Sequence, residues 1–255
     1  LPAALMGVDI VRLLDRAEEM REACRRSDGN PGLELGFWLA EQEFLQVDGG
    51  FGLWVEQLVA ESTGKDGKGI VPVREGGEMP DIRLPSPYEL GQEFFRWEFA
   101  VAVAGSICGI NPFDQPDVQA AKDKTNQVLE QGKASVDREG SLDELLAEAG
   151  PGCYVAIQAF VDPAREGELE PLIRQARETG AAVSVGLGPR YLHSTGQLHK
   201  GGPDVGLFVQ VVDDLGEELP IPGRAFGFRT LIAAQATGDF EALRERGRRI
   251  VRVTL

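Results

Sequence analysis

The stretch from Asn111 to Lys122 reads Asn-Pro-Phe-Asp-Gln-Pro-Asp-Val-Gln-Ala-Ala-Lys, which sets an amide, a carboxylate and a cation close together. Asp114 can cap orphan amides, Pro116 suits an early helical position, and a long polar-apolar run follows. A helix starting near Pro116 puts Gln115 at its mouth and Lys122 nearly two turns in. Such loop-to-helix junctions often hold phosphorylated and carbonyl ligands, although an ordinary capped surface helix gives the same pattern. Lys122 could equally be a solvated partner of Asp117 or Asp123. Upstream, Glu61 precedes Ser-Thr-Gly-Lys65. A glutamate abstracts a proton from carbon only where partial burial raises its pKa, and at a helix end it is otherwise a solvated charge. His193 and His199 are the only histidines, and an imidazole can give or take a proton near neutral pH. Their spacing of six puts them on different helical faces and fits metal ligation badly, so no metal is expected.

The elements that must position these groups read as an alternating α/β chain. Helices are predicted at 8–26, with Val8, Leu13, Leu14, Ala17 and Met20 near helical spacing, and from Pro31 through residue 40. Residues 46–50 form a polar connection before a helix containing Trp54, residues 69–73 a short strand, and 88–110 a buried helix with a strand-like turn. Ser141 followed by Glu144 marks another cap. Strands at 154–161, 181–186, 206–212 and 250–255 then alternate with helices at 166–178 and 226–236. This pattern predicts a three-layer sandwich with a mostly parallel sheet flanked by helices.

With 255 residues the chain can bury a substantial core, and its net charge of −15 disfavours non-specific nucleic-acid or anionic-membrane binding. No apolar run reaches membrane-spanning length, and three scattered cysteines (Cys24, Cys108, Cys153) fit a reducing, cytoplasmic setting.

Four motifs carry a family resemblance. The segment 111–122 resembles the signature of phosphoglucose isomerases, an aromatic–Asp–Gln with a Lys seven residues after the Gln. The segment 51–65 is similar to that family's helix and Glu–Ser–Asn–Gly–Lys stretch. Residues 1–9 resemble the segment after its sugar-contacting arginine. Residues 188–203, Gly-Pro-Arg-Tyr-Leu-His-Ser-Thr-Gly-Gln-Leu-His-Lys-Gly-Gly-Pro, resemble the isomerase half of bacterial transaldolase–phosphoglucose isomerase fusions. The resemblance implies glucose 6-phosphate to fructose 6-phosphate isomerisation through an enediolate, without metal or organic cofactor. It implies Glu61 as the base, Lys122 near the ring oxygen, Gln115 at the substrate, His193 for ring opening and Lys65 close by, itself read as a surface or helix-end charge.

The chain departs from the family in three ways. The motif order is Glu61, Lys122, His193, where better-known relatives place the histidine before the lysine. Asp117 and Gln119 stand where the signature has Gly and Glu. An apolar strand expected before the Trp54 helix is not evident, or residues are missing around 46–50. The resemblance further implies that residues 1–45 continue from an upstream sugar-isomerase (SIS) domain and that 46–255 form a second one. The Ser/Thr-rich phosphate loop and the family arginine would then lie upstream of Leu1, so the chain by itself is expected to show little or no isomerase activity. The partners implied are a sugar phosphate, the upstream domain, a transaldolase domain, and a second subunit buried against 94–103 or 226–236. The rival reading is a non-catalytic sugar-phosphate-binding or docking module of the same fold. A mannose- or other aldose-phosphate isomerase is a further alternative.

Overall fold

The computed structural model describes every residue except Leu1, Arg83, Lys133 and Ser135, and at 117–121 it describes the backbone alone. In chain order the elements begin with α1 (Pro2–Leu5), α2 (Ile10–Ala23), α3 (Pro31–Ala40), β1 (Phe44–Gln46), α4 (Gly49–Thr63) and β2 (Val71–Val73). They continue with α5 (Glu89–Cys108), α6 (Pro116–Gln131), α7 (Leu142–Ala147) and β3 (Tyr154–Phe160), then a 3-10 segment (Pro163–Leu169) leading into α8 (Glu170–Glu178). After β4 (Ala182–Leu187) come a 3-10 turn (Arg190–His193), α9 (Gly196–Gly201), β5 (Gly206–Val212), α10 (Phe228–Glu245) and β6 (Arg249–Thr254).

Four strands pair in the order β4-β3-β5-β6, all parallel, with Tyr154 opposite both Ala182 and Gly206. β1 pairs β2 in parallel, Phe44 opposite Val71. Backbone bonds from Arg74 N to Val183 O (2.7 Å) and Val183 N to Glu75 O (3.0 Å) stitch the chain after β2 to β4. Helices flank these parallel strands, the α/β architecture that the alternating pattern predicts.

The period-two geometry of a strand divides the sheet's side chains between two faces. Val155, Ile157 and Ala159 of β3, with Leu207, Val209 and Val211 of β5, pack against Leu145 and Leu146 of α7 and Ile173 and Ala176 of α8. The alternate residues Tyr154, Ala156 and Phe208 face Ala60 of α4, Leu198 of α9 and Leu243 of α10. A third cluster joins Leu35 and Leu39 of α3, Leu45, Val55, Val59, Trp97, Ala100 and Val101. Each large side chain so buried contributes about 1.5–3 kcal/mol. Among the described residues no helix is long and apolar enough to cross a membrane.

Several sequence expectations need correction. A strand does precede the Trp54 helix: β1 is only three residues long, too short for an alternating pattern to show, yet its Leu45 is fully buried. α5 runs unbroken to Cys108 and stops at Gly109, whose left-handed φ of 67° forms the cap, so no strand-like turn follows it. The predicted helix at 166–178 is split, because Pro171 can open α8 but cannot continue a preceding turn. α10 extends well past residue 236, and Gly238 lets it lie against α6, where a Cβ would stand 3.0 Å from Thr125 N. Leu14 is 62% exposed, while Leu13, Ala17 and Met20 of α2 are half-buried.

Candidate functional site

α4 delivers Glu61 in its last turn, half-buried, on the face of the sheet where α9 and α10 pack. Gln57, one turn earlier, donates its amide to Glu61 Oε2 at 3.4 Å, and Gln115 donates to the same oxygen at 3.4 Å. Burial pushes the Glu61 carboxyl above the ordinary glutamate value. The Gln57 bond and the charges of His193 and Lys65 oppose the rise without cancelling it.

The loop carrying Gln115 is fixed from below by Lys65, which is buried rather than on the surface as its sequence context suggests. Its Nζ donates to Asn111 O at 2.8 Å, to Asp114 Oδ1 at 2.9 Å, and to the Asp114 carbonyl. Asp114 therefore does not cap α6. Gln115 occupies the N-cap position without a side-chain cap bond, and Pro116 follows it. The charge-assisted bond to Lys65 outcompetes a neutral amide for the Asp114 carboxylate and, with Asn111, holds that carboxyl below the usual range.

His193 ends the Arg190–His193 turn and is exposed. It lines a small pocket of about 120 Å³ together with Lys122, Thr125 and Asn126 of α6 and Gln235 and Asp239 of α10. Lys122 is exposed in the second turn of α6. Glu61 and Gln115 thus meet directly, His193 acts on Glu61 through its charge, and Lys122 joins through the pocket it shares with His193. The altered signature positions Asp117 and Gln119 lie outside the described side chains.

His199 stands apart from this group. It is buried on α9, with Nδ1 2.9 Å from Gln158 Nε2, and burial lowers its pKa to about 3. An imidazole held neutral in this way cannot shuttle protons near pH 7, which leaves His193 as the accessible one.

The end of α4 is pressed against α9. Gln197 Nε2 donates to Gly64 O at 3.0 Å, and a Cβ on Gly64 would stand 2.4 Å from Leu198 Cα and 2.7 Å from Ala60 O. Gly64→Ala is expected to destabilise the fold by about 1–3 kcal/mol, because backbone rather than a movable side chain must shift. Chemical denaturation checks this, and an unchanged midpoint would show that the contact is loose.

Among residues that sequence reasoning missed, Glu56 of α4 is 8% exposed and lies near Ser194 and Arg190. Burial raises the Glu56 pKa, against the pull of Ser194 and of the Arg190 charge.

The chain is similar to glucose-6-phosphate isomerases. The enzyme of Exiguobacterium sibiricum is 40% identical over 62 residues, which cover 23% of this chain and 14% of that protein. That of Levilactobacillus brevis is 41% identical over 70 residues, covering 26% and 15%. A longer alignment of 238 residues to the enzyme of Leptospira biflexa is 24% identical and takes in 59% of this chain and 52% of that one. The chain therefore spans about half or less of these curated relatives. No protein-family model matches it.

Proposed function

We propose that this chain is the C-terminal, sugar-isomerase-type part of a glucose-6-phosphate isomerase that is joined in its parent to an upstream sugar-isomerase domain and a transaldolase. The observation that carries the reading is the meeting of Glu61 and Gln115, with His193 and Lys122 beside them, from three separate stretches of chain. Similarity to enzymes of that name supports it.

In this reading His193 gives a proton to the ring oxygen as the C1–O5 bond breaks, and the C1 hydroxyl gives its proton to solvent water, leaving an open aldehyde. Glu61 then takes the C2 proton. The electron pair moves into a C1–C2 double bond, and the charge that develops on O1 is stabilised by the Lys122 cation. Return of the proton from Glu61 to C1, with transfer of the O2 proton to O1 as the C2 carbonyl forms, yields the ketose. A carboxylate with a raised pKa is the better base for this step. Gln115, already bonded to Glu61, orients the carboxylate and presents its amide to a substrate hydroxyl. The phosphate would be held by the upstream domain, so the 255-residue chain alone turns over little or no substrate.

The test is incubation of the full-length parent with glucose 6-phosphate in D2O, followed by NMR. Fructose 6-phosphate carrying solvent-derived label at C1 supports the proposal, since the intermediate exchanges its proton at the base. Binding without turnover would hand the case to a docking module. Turnover of a different aldose phosphate alone would keep the chemistry and change the substrate.

A further inference from the structure

A buried polar cluster directly behind the pocket takes no part in the chemistry above. Asp239 of α10, 1% exposed, accepts from Lys200 Nζ of α9 at 2.5 Å and from the Tyr191 hydroxyl at 2.7 Å. Lys200 and Tyr191 are also buried, and Lys200 donates a second bond to Gly196 O at 3.2 Å. Taking such a pair out of water is costly unless its geometry is well satisfied, as it is here. The cluster is tied to the site by position. Asp239 lines the pocket of Lys122 and His193, Tyr191 lies two residues before His193 in the same turn, and Lys200 lies on the helix that follows. The Tyr191 ring packs on Phe160 and His199, with centroids 5.6 Å and 6.0 Å away. One carboxylate therefore grips the chain on both sides of His193.

We propose that Asp239 is a positioning residue for His193, its carboxylate pinning the 190–193 turn through the Tyr191 hydroxyl and the following helix through Lys200. The catalytic consequence rests on the isomerase reading; the structural claim does not. An exposed imidazole at the end of a short turn samples many placements, and a displacement of about 1 Å can cost on the order of a hundredfold in rate. On its other side the turn is followed by Ser194, whose hydroxyl donates back to Tyr191 O at 3.3 Å, with the buried Glu56 of α4 nearby.

Imidazole NMR of the 255-residue chain tests the structural half, with His193→Gln identifying the His193 signals against those of His199. Asp239→Asn and Tyr191→Phe are expected to shift and broaden the His193 resonances while the amide signals of β3 and β5 stay in place. Unchanged His193 resonances in the folded variants overturn the proposal. If Asp239→Asn does not fold, Tyr191→Phe, which deletes one oxygen and keeps the ion pair, carries the test. In the full-length parent both variants are expected to lower kcat by roughly tenfold to a hundredfold with KM nearly constant. A loss confined to KM, or to thermal stability with kcat intact, overturns the catalytic half. An inactive wild-type parent defeats the isomerase reading and that half with it, and the NMR comparison then decides the structural claim alone.

Discussion

On the proposed isomerase reading, replacing Glu61 with Gln in the full-length parent is expected to lower the isomerase rate by roughly a thousandfold or more, within the range that a positioned general base contributes. Glutamine keeps the size and the contacts available to Gln57 and Gln115, so the fold and KM should hold while kcat collapses. The wild-type pH profile gives an independent reading of the same group. Burial raises the Glu61 pKa, so the proton stays on to a higher pH than on an ordinary glutamate of about 4.3. The base is active only when ionised, so kcat/KM falls as pH drops through that raised value. The acidic limb therefore lies above the usual carboxylate range. Glu61→Gln should abolish this limb in whatever rate remains. An active parent that is indifferent to the substitution would leave the family similarity standing and remove Glu61 from the mechanism.

The parts of this molecule that were legible from sequence are those whose signals are local. Pro31 at the start of α3, the Ser141 cap of α7 and the apolar run of β5 each specify an element through a few adjacent residues. β1 was missed because three residues are too few to show an alternation, and Leu45 is buried only once β2 pairs beside it and Trp97 and Ala100 of α5 join its cluster. The same limit governed the site. Lys65 reads as a surface charge until the 111–114 loop is folded over it and supplies three acceptors. The family pattern named Glu61, Gln115, Lys122 and His193 as a group; what it could not reveal is the means of support. One sequence signal for Asp239 existed, since it stands at core spacing between Ala236 and Leu243, and a carboxylate there demands a buried donor. Which donor could not be read, because Lys200 and Tyr191 reach it only after β5 has crossed between them and α10. The polar residues Gln158 and Gln210 follow the same rule. Each falls on the strand face turned toward α9 and α10, where Gln158 meets His199 and Gln210 bonds both Ala236 O and Arg252.

Lys200→Met is expected to destabilise the chain by about 3–5 kcal/mol, the cost of leaving a buried carboxylate without its cation. The two side chains are 2% and 1% exposed, so solvent screening offers little relief. Among the described residues Asp239 would keep the Tyr191 hydroxyl as its donor, and Gly196 O would lose the Lys200 Nζ contact. The double variant Lys200→Met/Asp239→Asn should recover much of the loss, because a neutral amide can still accept from Tyr191 and no charge is stranded. This sign of coupling separates a true buried pair from two independent packing contributions, whose losses would simply add. Denaturant midpoints of wild type, both single variants and the double variant measure it. Strict additivity, or a single-variant loss below about 1 kcal/mol, would mean that water reaches the pair and that the carboxylate does not grip the turn. Coupling of several kcal/mol would instead make the 190–193 turn a rigid mount, which the ring-opening role proposed for His193 requires.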